Sequence, residues 1–548
     1  MEELKRDDFR IHLIIGITGH RDLIPEDMSA VKKKIKEFFD ELKRKLPHTP
    51  LLLLTPLAEG ADRLAAEVAR EEGIKYIAPF PLPEDYYKKD FPNTIEKFEE
   101  LKRDALGYFE LSMEGDIQSI KEYGPERDKR YENVGAYVVK HSQILLALWD
   151  GKETGLTGGT SQIVKFKLEG LPDEYTPYRT VLDPKDKGPV YHIKVRRIGD
   201  FDPSAQYNAE GKWLWPEGTE EKTYFGNDGV FIKFDAFNKA AKKISPKDIE
   251  KSRHSLASDD VVNKERFVSH IYAEADVMAI NLKKKWHRLL ITIIAIAGTL
   301  FAIFLGYTYL NIFAFLVAYF VAYITFYLLF SVFNVTHRFH QSYVEFRVLA
   351  EGLRVEFFLR LAGKHEDIAD LYLRKHKQYL QWIREVLRSS NVFDPQEKPY
   401  LEAIKDYWIN GQLNYFSHSS AENTNKVNLL RKISNVLFII GLCSAFAAIL
   451  MTIFNLKVFI SLTVLLLISF PSLAALVEIY IDRSIIEDSA EEYFRMKEIF
   501  KRANDLWEKS NEDKVRVSII VELAKEALRE NADWLLLHIH TSEKMPIV

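Results

Sequence analysis

Cysteine is nearly absent. Cys443 is the only one in 548 residues, so an intrachain disulfide is impossible and a cysteine-built zinc site is disfavoured. Neither sign of charge is in excess: 75 Lys and Arg face 79 Asp and Glu, a net charge of −4. That balance argues against a nucleic-acid partner. A secretory leader is not expected either. The start, MEELKRDDFRIHLIIGITG, has basic residues but only a short apolar run with a strand pattern, and no small-residue cleavage site follows it. The first domain is therefore expected in the cytoplasm. The most informative lack is local: residues 289–333 contain no Asp, Glu, Lys or Arg.

A membrane helix needs about 20 apolar residues to cross a hydrocarbon core of about 30 Å. The uncharged run holds two such lengths, broken by GYTYLN at 306–311. It reads as a helical hairpin, out through 289–305 and back through 312–333. A second apolar pair, 433–454 and 458–477, is broken at Asn455-Leu456-Lys457. An all-α membrane module of four spans in two hairpins is expected. The mean hydropathy of the whole chain, −0.17, leaves most of its mass in soluble regions, and the length suggests about three or four domains.

Lys283, Lys284, Lys285 and Arg288 precede the first span, and Arg338 and Arg347 follow the second. Lys426, Arg431 and Lys432 precede the third, whereas the intervening turns carry only Lys457. By the positive-inside rule both hairpins enter from and return to the cytoplasm. The expectation is a multi-pass inner-membrane protein with both termini inside. No ionisable residue lies deep in a span, which argues against a proton-coupled carrier. Small and hydroxyl residues (Thr292, Gly298, Thr299, Ser444, Thr452, Ser461, Thr463, Ser469, Ser472) either pack helices closely or line a pore. Pro471 is expected to kink the fourth span.

The approaches to the two pairs are alike: AEADVMAINLKKK (273–285) and SAENTNKVNLLRK (420–432). The helical regions that follow, 334–432 and 478–548, contain QWIR at 381–384 and DWLL at 533–536. This pattern reads as a diverged internal duplication. His337, His340, His538 and His540 have no obvious acidic partner set, and no metal site or cofactor is expected.

Strand and helix patterns alternate over residues 1–200. Residues 11–18 (IHLIIGIT), 51–55, 74–80 and 143–149 are apolar runs suited to strands buried on both faces of a parallel sheet, and 191–197 reads as the last strand. Helical spacing follows over 25–46, 58–71, 131–141 and 161–168, with 83–140 read as a charged, helical insertion. The fold class expected is a doubly wound, Rossmann-like α/β domain. Residues 200–228 read as an irregular loop or short hairpin. The connector, 201–288, ends in a stalk helix that runs into the first span.

Ligands of such sheets sit outside the carboxyl ends of the strands. Those ends carry TGHRD, LAEGADR, PFPLP and DGKETGLTGGT. Gly158-Gly159-Thr160 at a helix start is a candidate phosphate cradle, with Gly60-Ala61-Asp62 as a second face. Arg21 and Arg63 are candidates to pair with phosphate. Glu59, Asp62 or Asp150 are candidates to accept from ribose hydroxyls. Arg63 equally suits a helix surface beside Glu59 or Glu67, and His20 equally suits a satisfied loop position. Tyr131 and Asn133 lie either near the pocket or on a solvated helix face.

ITGHRDL, LAEGADRLAAEVA and ILLALWDGK…GGT together resemble the SLOG superfamily, the Rossmann-like group that includes LOG, DprA and TRPM-type nucleotide-sensing domains. The resemblance implies a site for a nucleotide-derived messenger, ADP-ribose-like or cyclic. It places ligand contacts on Thr18, Gly19, His20, Arg21, Glu59, Gly60, Ala61, Asp62, Asp150, Gly158, Gly159 and Thr160. LOG hydrolases carry PGGxGTxxE; here Thr157 replaces the proline, and Gln162 and Ile163 stand where the acid is sought. Sensing is therefore expected rather than catalysis. Residues 260–548 resemble two copies of SLATT two-helix membrane domains, which implies a homo-oligomeric, pore-forming effector in prokaryotic antiphage or stress defence. The alternatives are a membrane-anchored LOG-type hydrolase and a constitutive channel or transporter.

Overall fold

The computed structural model describes residues 9–111, 120–200, 207–364, 368–372, 377–392, 399–454, 456–484 and 486–542. The side chains at 200, 329–339, 377–379, 457–458 and 537–542 also fall outside this description. Asn455 and the side chains of His337, Arg338, Lys457, His538 and His540 therefore lie outside the described residues.

Seven strands, β1 (Leu13–Gly19), β2 (Leu51–Leu54), β3 (Lys75–Phe80), β4 (Gly107–Glu110), β5 (Ile144–Trp149), β6 (Val190–Lys194) and β7 (Gly211–Leu214), form one sheet. Between and after them come α1 (Met28–Lys45), α2 (Ala61–Glu71), α3 (Ile95–Asp104), α4 (Pro125–His141), α5 (Thr160–Glu169) and α6 (Val230–Ala241). The rest is helical: α7 (Arg266–Leu310), α8 (Phe313–Leu361), α9 (Lys377–Ser390), α10 (Gly411–Ile453), α11 (Lys457–Ser484), α12 (Ile486–Lys509) and α13 (Asp513–Ser542). Packing divides the chain into two units. One is 1–245 with 265–271 and 363–397; the other is 246–264, 272–362 and 398–548.

In the first unit the strand order is β4-β3-β2-β1-β5-β6-β7. Every neighbouring pair is parallel except β6 with β7. The apolar runs expected as strands are strands, because LLLL and ILLALW are buried almost throughout. Two strands depart from the expectation. β4 lies within the stretch read as a helical insertion; as an edge strand its four residues alternate between half-buried and exposed. β7 lies in the stretch read as a loop or hairpin and pairs antiparallel with β6.

Polar side chains tie the first unit together. Gln143 accepts from the Ile14 N–H through Oε1 (2.8 Å) and donates through Nε2 to the Glu385 carbonyl of α9 (3.2 Å). Arg384 of α9 grips both oxygens of Asp186 at 2.8 and 2.9 Å. Asn238, fully buried, accepts from the Ile11 N–H and donates to the Ile11 carbonyl.

Among the described residues three helices, in the second unit apart from the start of the first of them, are long and apolar enough to cross a membrane: Arg266–Leu310, Leu401–Ile453 and Phe459–Ser484. Among the described residues, Phe313–Leu328 is a fourth, shorter apolar segment. Their large side chains point outward: Phe320 is 64 %, Leu442 63 % and Phe446 65 % exposed. A water-soluble fold buries such rings, whereas hydrocarbon solvates them. The first turn is shorter than GYTYLN suggested. Helix α7 runs through Gly306 to Leu310, and only Asn311 (φ 49°) and Ile312 separate it from α8. Gly306 stays helical with its bare face against Phe315, whose Cε1 lies 2.8 Å from where a Cβ would sit. Helix α11 is continuous through Pro471, whose ring packs on Gly441 of α10.

A Cβ on Gly441 would lie 2.5 Å from Pro471 Cγ, whereas one on Gly298 meets Leu476 at an ordinary 3.5 Å. Gly441→Ala should therefore destabilise by about 1–3 kcal/mol through overpacking, and Gly298→Ala should be close to neutral. Thermal midpoints of the two variants in one detergent read the difference.

Candidate functional site at the strand ends

Strand β1 sits between β2 and β5, so the chain leaves its carboxyl end in opposite directions on either side. That is the switch point at which α/β sheets open a crevice. Thr18 and Gly19 end β1, and Trp149 and Asp150 end β5 beside them. Gly19 is required there: a Cβ would fall 2.4 Å from the Ala61 Cβ and 2.8 Å from the Leu148 carbonyl. Gly60 is required for two reasons. Its φ is +81°, and a Cβ would meet the carbonyls of His20 (2.5 Å) and Arg21 (2.4 Å). The Ala61 N–H then donates to the His20 carbonyl (3.0 Å), locking the two turns together.

His20 meets Asp150. Its Nε2 lies 3.1 Å from Asp150 Oδ1 and 3.2 Å from the Asp150 backbone nitrogen. A neutral Nε2 accepts from that N–H; a protonated one donates to the carboxylate. Burial raises the Asp150 carboxyl, but the Lys152 N–H and His20 outweigh it and hold it below the usual range.

Asp62 opens α2 and is buried, its carboxylate accepting from the Ala58 N–H at 3.3 Å. Burial pushes it up to about 7, against that hydrogen bond and the charges of Arg21 and Arg63. Leu57, fully buried, adopts a left-handed φ of 59°, unusual for a branched side chain and a sign of a strained, over-determined loop.

Arg63 is taken up by structure. Its Nε donates to the Leu57 carbonyl (3.0 Å), its Nη1 donates to the Thr94 hydroxyl (2.7 Å), and its guanidinium lies over the Phe91 ring. Glu59 accepts from the same Thr94 hydroxyl at 2.6 Å. Arg63 is thus held within the turn, and Glu59, half-buried, braces it through the Thr94 hydroxyl.

Arg21 differs. It is exposed, and among the described residues it makes no hydrogen bond or ion pair, only a stacking contact 4.7 Å above the centre of the Tyr131 ring. Tyr131 is itself anchored, its hydroxyl donating to Asp90, whose buried carboxylate also takes Arg127 and Tyr123. Across Tyr131 lies the other glycine turn: a Cβ on Gly158 (φ +71°) would fall 3.1 Å from the Tyr131 Cβ and 2.9 Å from the Glu132 nitrogen. Gln162 folds back so that its Oε1 accepts from the Gly158 N–H (2.7 Å). Gly159 caps α5, whose first residues Thr160 and Ser161 are half-buried.

The structure thus brings Thr18, Gly19, His20, Arg21, Gly60, Ala61, Asp62 and Asp150 to one strand end. Tyr131 links Arg21 to Gly158, with Gly159 and Thr160 beyond it. Sequence reasoning missed Asp90 and Arg127, which carry no local signal for pairing across 37 residues. No known protein family matches this chain, and no curated protein or solved structure does.

A raised carboxyl favours the fold below its unfolded pKa and loses that contribution as pH rises to about 7. Asp62→Asn keeps the acceptor for Ala58 and removes the titration. Its stability should fall less than that of the native chain between pH 5 and 8, by a few kcal/mol in order of magnitude. Denaturant midpoints across that range measure it.

Proposed function

We propose that this chain is a membrane effector whose α/β domain binds a nucleotide-derived messenger at the strand-end crevice and thereby gates flux through its membrane helices. The observation that carries this reading is Arg21: an exposed guanidinium, stacked on an anchored tyrosine and lying between two glycine turns at a switch point. A phosphate there receives a bidentate cation and backbone N–H groups of close-approaching turns. Asp150 and His20 supply an acceptor and a donor for sugar hydroxyls. On this reading the domain is SLOG-like and Rossmann-like. The helices form four spans in two hairpins, with the second span continuing beyond Leu328, and both termini are cytoplasmic. The duplicated, SLATT-like hairpins assemble as a homo-oligomer in the inner membrane and act in antiphage or stress defence. A ligand shifts such an equilibrium only by binding one state better than the other.

Full-length protein in detergent is screened by thermal shift against ADP-ribose, its cyclic forms, NAD and cyclic oligonucleotides, with each ligand checked for turnover. A stabilising ligand recovered intact, whose effect is lost by about tenfold or more in affinity in Arg21→Ala and in Gly159→Asp, is the expected result. The same ligand should release dye from loaded proteoliposomes. A ligand recovered cleaved moves the reading to a membrane-anchored nucleotide hydrolase. Dye release without any nucleotide moves it to a constitutive channel.

A further inference from the structure

The second unit holds a cavity of about 400 Å³, open to solvent on one side, among α7, α8, α10, α12 and α13. Its wall is aromatic: Tyr343 meets Trp534 edge-on at 6.1 Å, and Tyr493 packs against Tyr415 and Phe416 at 5.9 and 5.7 Å. Most charges on the wall are already matched. Arg347 pairs with Glu351 and lies 3.7 Å from Asp276. Arg354 binds Glu351 at 2.7 Å and the Tyr272 hydroxyl at 2.6 Å.

Two carboxylates are left over. Glu492 is 6 % exposed, and its Oε2 is buried with no hydrogen-bond partner among the described residues. Glu530 is half-buried, and its Oε1 is likewise buried with no hydrogen-bond partner among the described residues. Both line the cavity. Burial pushes both upward; on Glu492 the charge of Glu530 and a hydrogen bond with it add to the rise, against Arg347 and Arg495, whereas on Glu530 that same hydrogen bond and Arg495 act downward and Glu351 and Asp533 act upward. A proton therefore stays between the two carboxyls well above the usual carboxylate range. Lys283 also borders the cavity; its side chain reaches the surface, while burial and the charges of Arg347 and Lys426 push its ammonium down, against the attraction of Tyr415.

We infer that this cavity is a binding site for an organic ammonium cation, held by the Glu492–Glu530 pair and enclosed by the Tyr343, Tyr415, Tyr493 and Trp534 rings. The two carboxyls hold one proton between them, so a group that displaces it must itself be a donor or a cation. The ring faces carry negative quadrupole charge and favour a soft, weakly hydrated cation over a small metal ion. Such a cation replaces the shared proton one for one and so leaves the net charge at the buried pair unchanged. Its source is either a free amine or the headgroup of a choline lipid, which present the same chemistry. The inference does not rest on the strand-end site.

The test uses full-length protein and tetramethylammonium chloride against sodium chloride at equal ionic strength. At pH 8 tetramethylammonium should raise the thermal midpoint by about 5 °C at saturation, and sodium should not. Calorimetric affinity should be about tenfold weaker at pH 6, because the cation competes with the proton. Glu492→Gln, isosteric and one buried charge lighter, should fold and lose the effect. An equal shift with sodium, an affinity independent of pH in the native chain, or an undiminished effect in Glu492→Gln overturns the inference. In nanodiscs of phosphatidylcholine and of phosphatidylglycerol, an effect confined to the second identifies the lipid headgroup as occupant. An effect in both identifies a free amine, and an effect in neither overturns the site.

Discussion

Strand β1 is paired on both sides, with β2 from Leu13 to Gly16 and with β5 from Ile15 to Gly19. This double parallel pairing is the constraint on which the rest of the first unit depends. Parallel neighbours cannot be joined by hairpins, so the connections among β1 to β6 must cross over, and those six strands end at the same edge. The loops after β1, β2 and β5 are thereby gathered without any contact having to hold them there. What the side chains add is spacing. Gly19 and Gly60 let the first two loops touch through backbone, and Tyr131 separates Arg21 from the Gly158 turn.

The cost of that gathering is buried polarity. Asp62, Arg63 and Asp90 are each removed from water and each repaid by specific partners: the Ala58 N–H, the Leu57 carbonyl with the Thr94 hydroxyl, and the Arg127–Tyr131 pair. Breaking one such partner leaves an uncompensated buried group, which is dearer than never having buried it. The network therefore makes the loops rigid, and rigidity at a binding edge lowers the ordering cost that a ligand must meet. Arg21 stands outside the network. A cation kept exposed beside so many satisfied groups is the feature that most resembles a waiting contact.

Much of this was legible in the sequence, and the reasons are physical. A strand buried on both faces must be apolar throughout, so IHLIIGIT, LLLL and ILLALW announce themselves. A glycine before a helix marks a turn that needs either space or a positive φ, so Gly60 and Gly158 were visible. β4 was not, because an edge strand such as GYFE buries too little to be apolar. Arg63 looked like a ligand contact because charge on a strand-end helix is ambiguous until its partner is known, and Thr94 lies 31 residues away. Asp90 and Tyr131 meet across 41 residues, a distance no local pattern reports. In the membrane unit the lack of charge marked the apolar helices, whereas Gly306 was read as a break because a glycine that accommodates Phe315 looks like one that ends a helix.

On the proposed function, a nucleotide-derived ligand engages the loops gathered at the β1 carboxyl end. Hydrogen exchange on the full chain in nanodiscs, with and without the nucleotide that stabilises it most, tests this directly. Exchange of the amides at 18–21, 58–62 and 158–161 should slow together, since one ligand bridges all three turns. Protection confined to other parts of the chain, with these three turns unchanged, would contradict it.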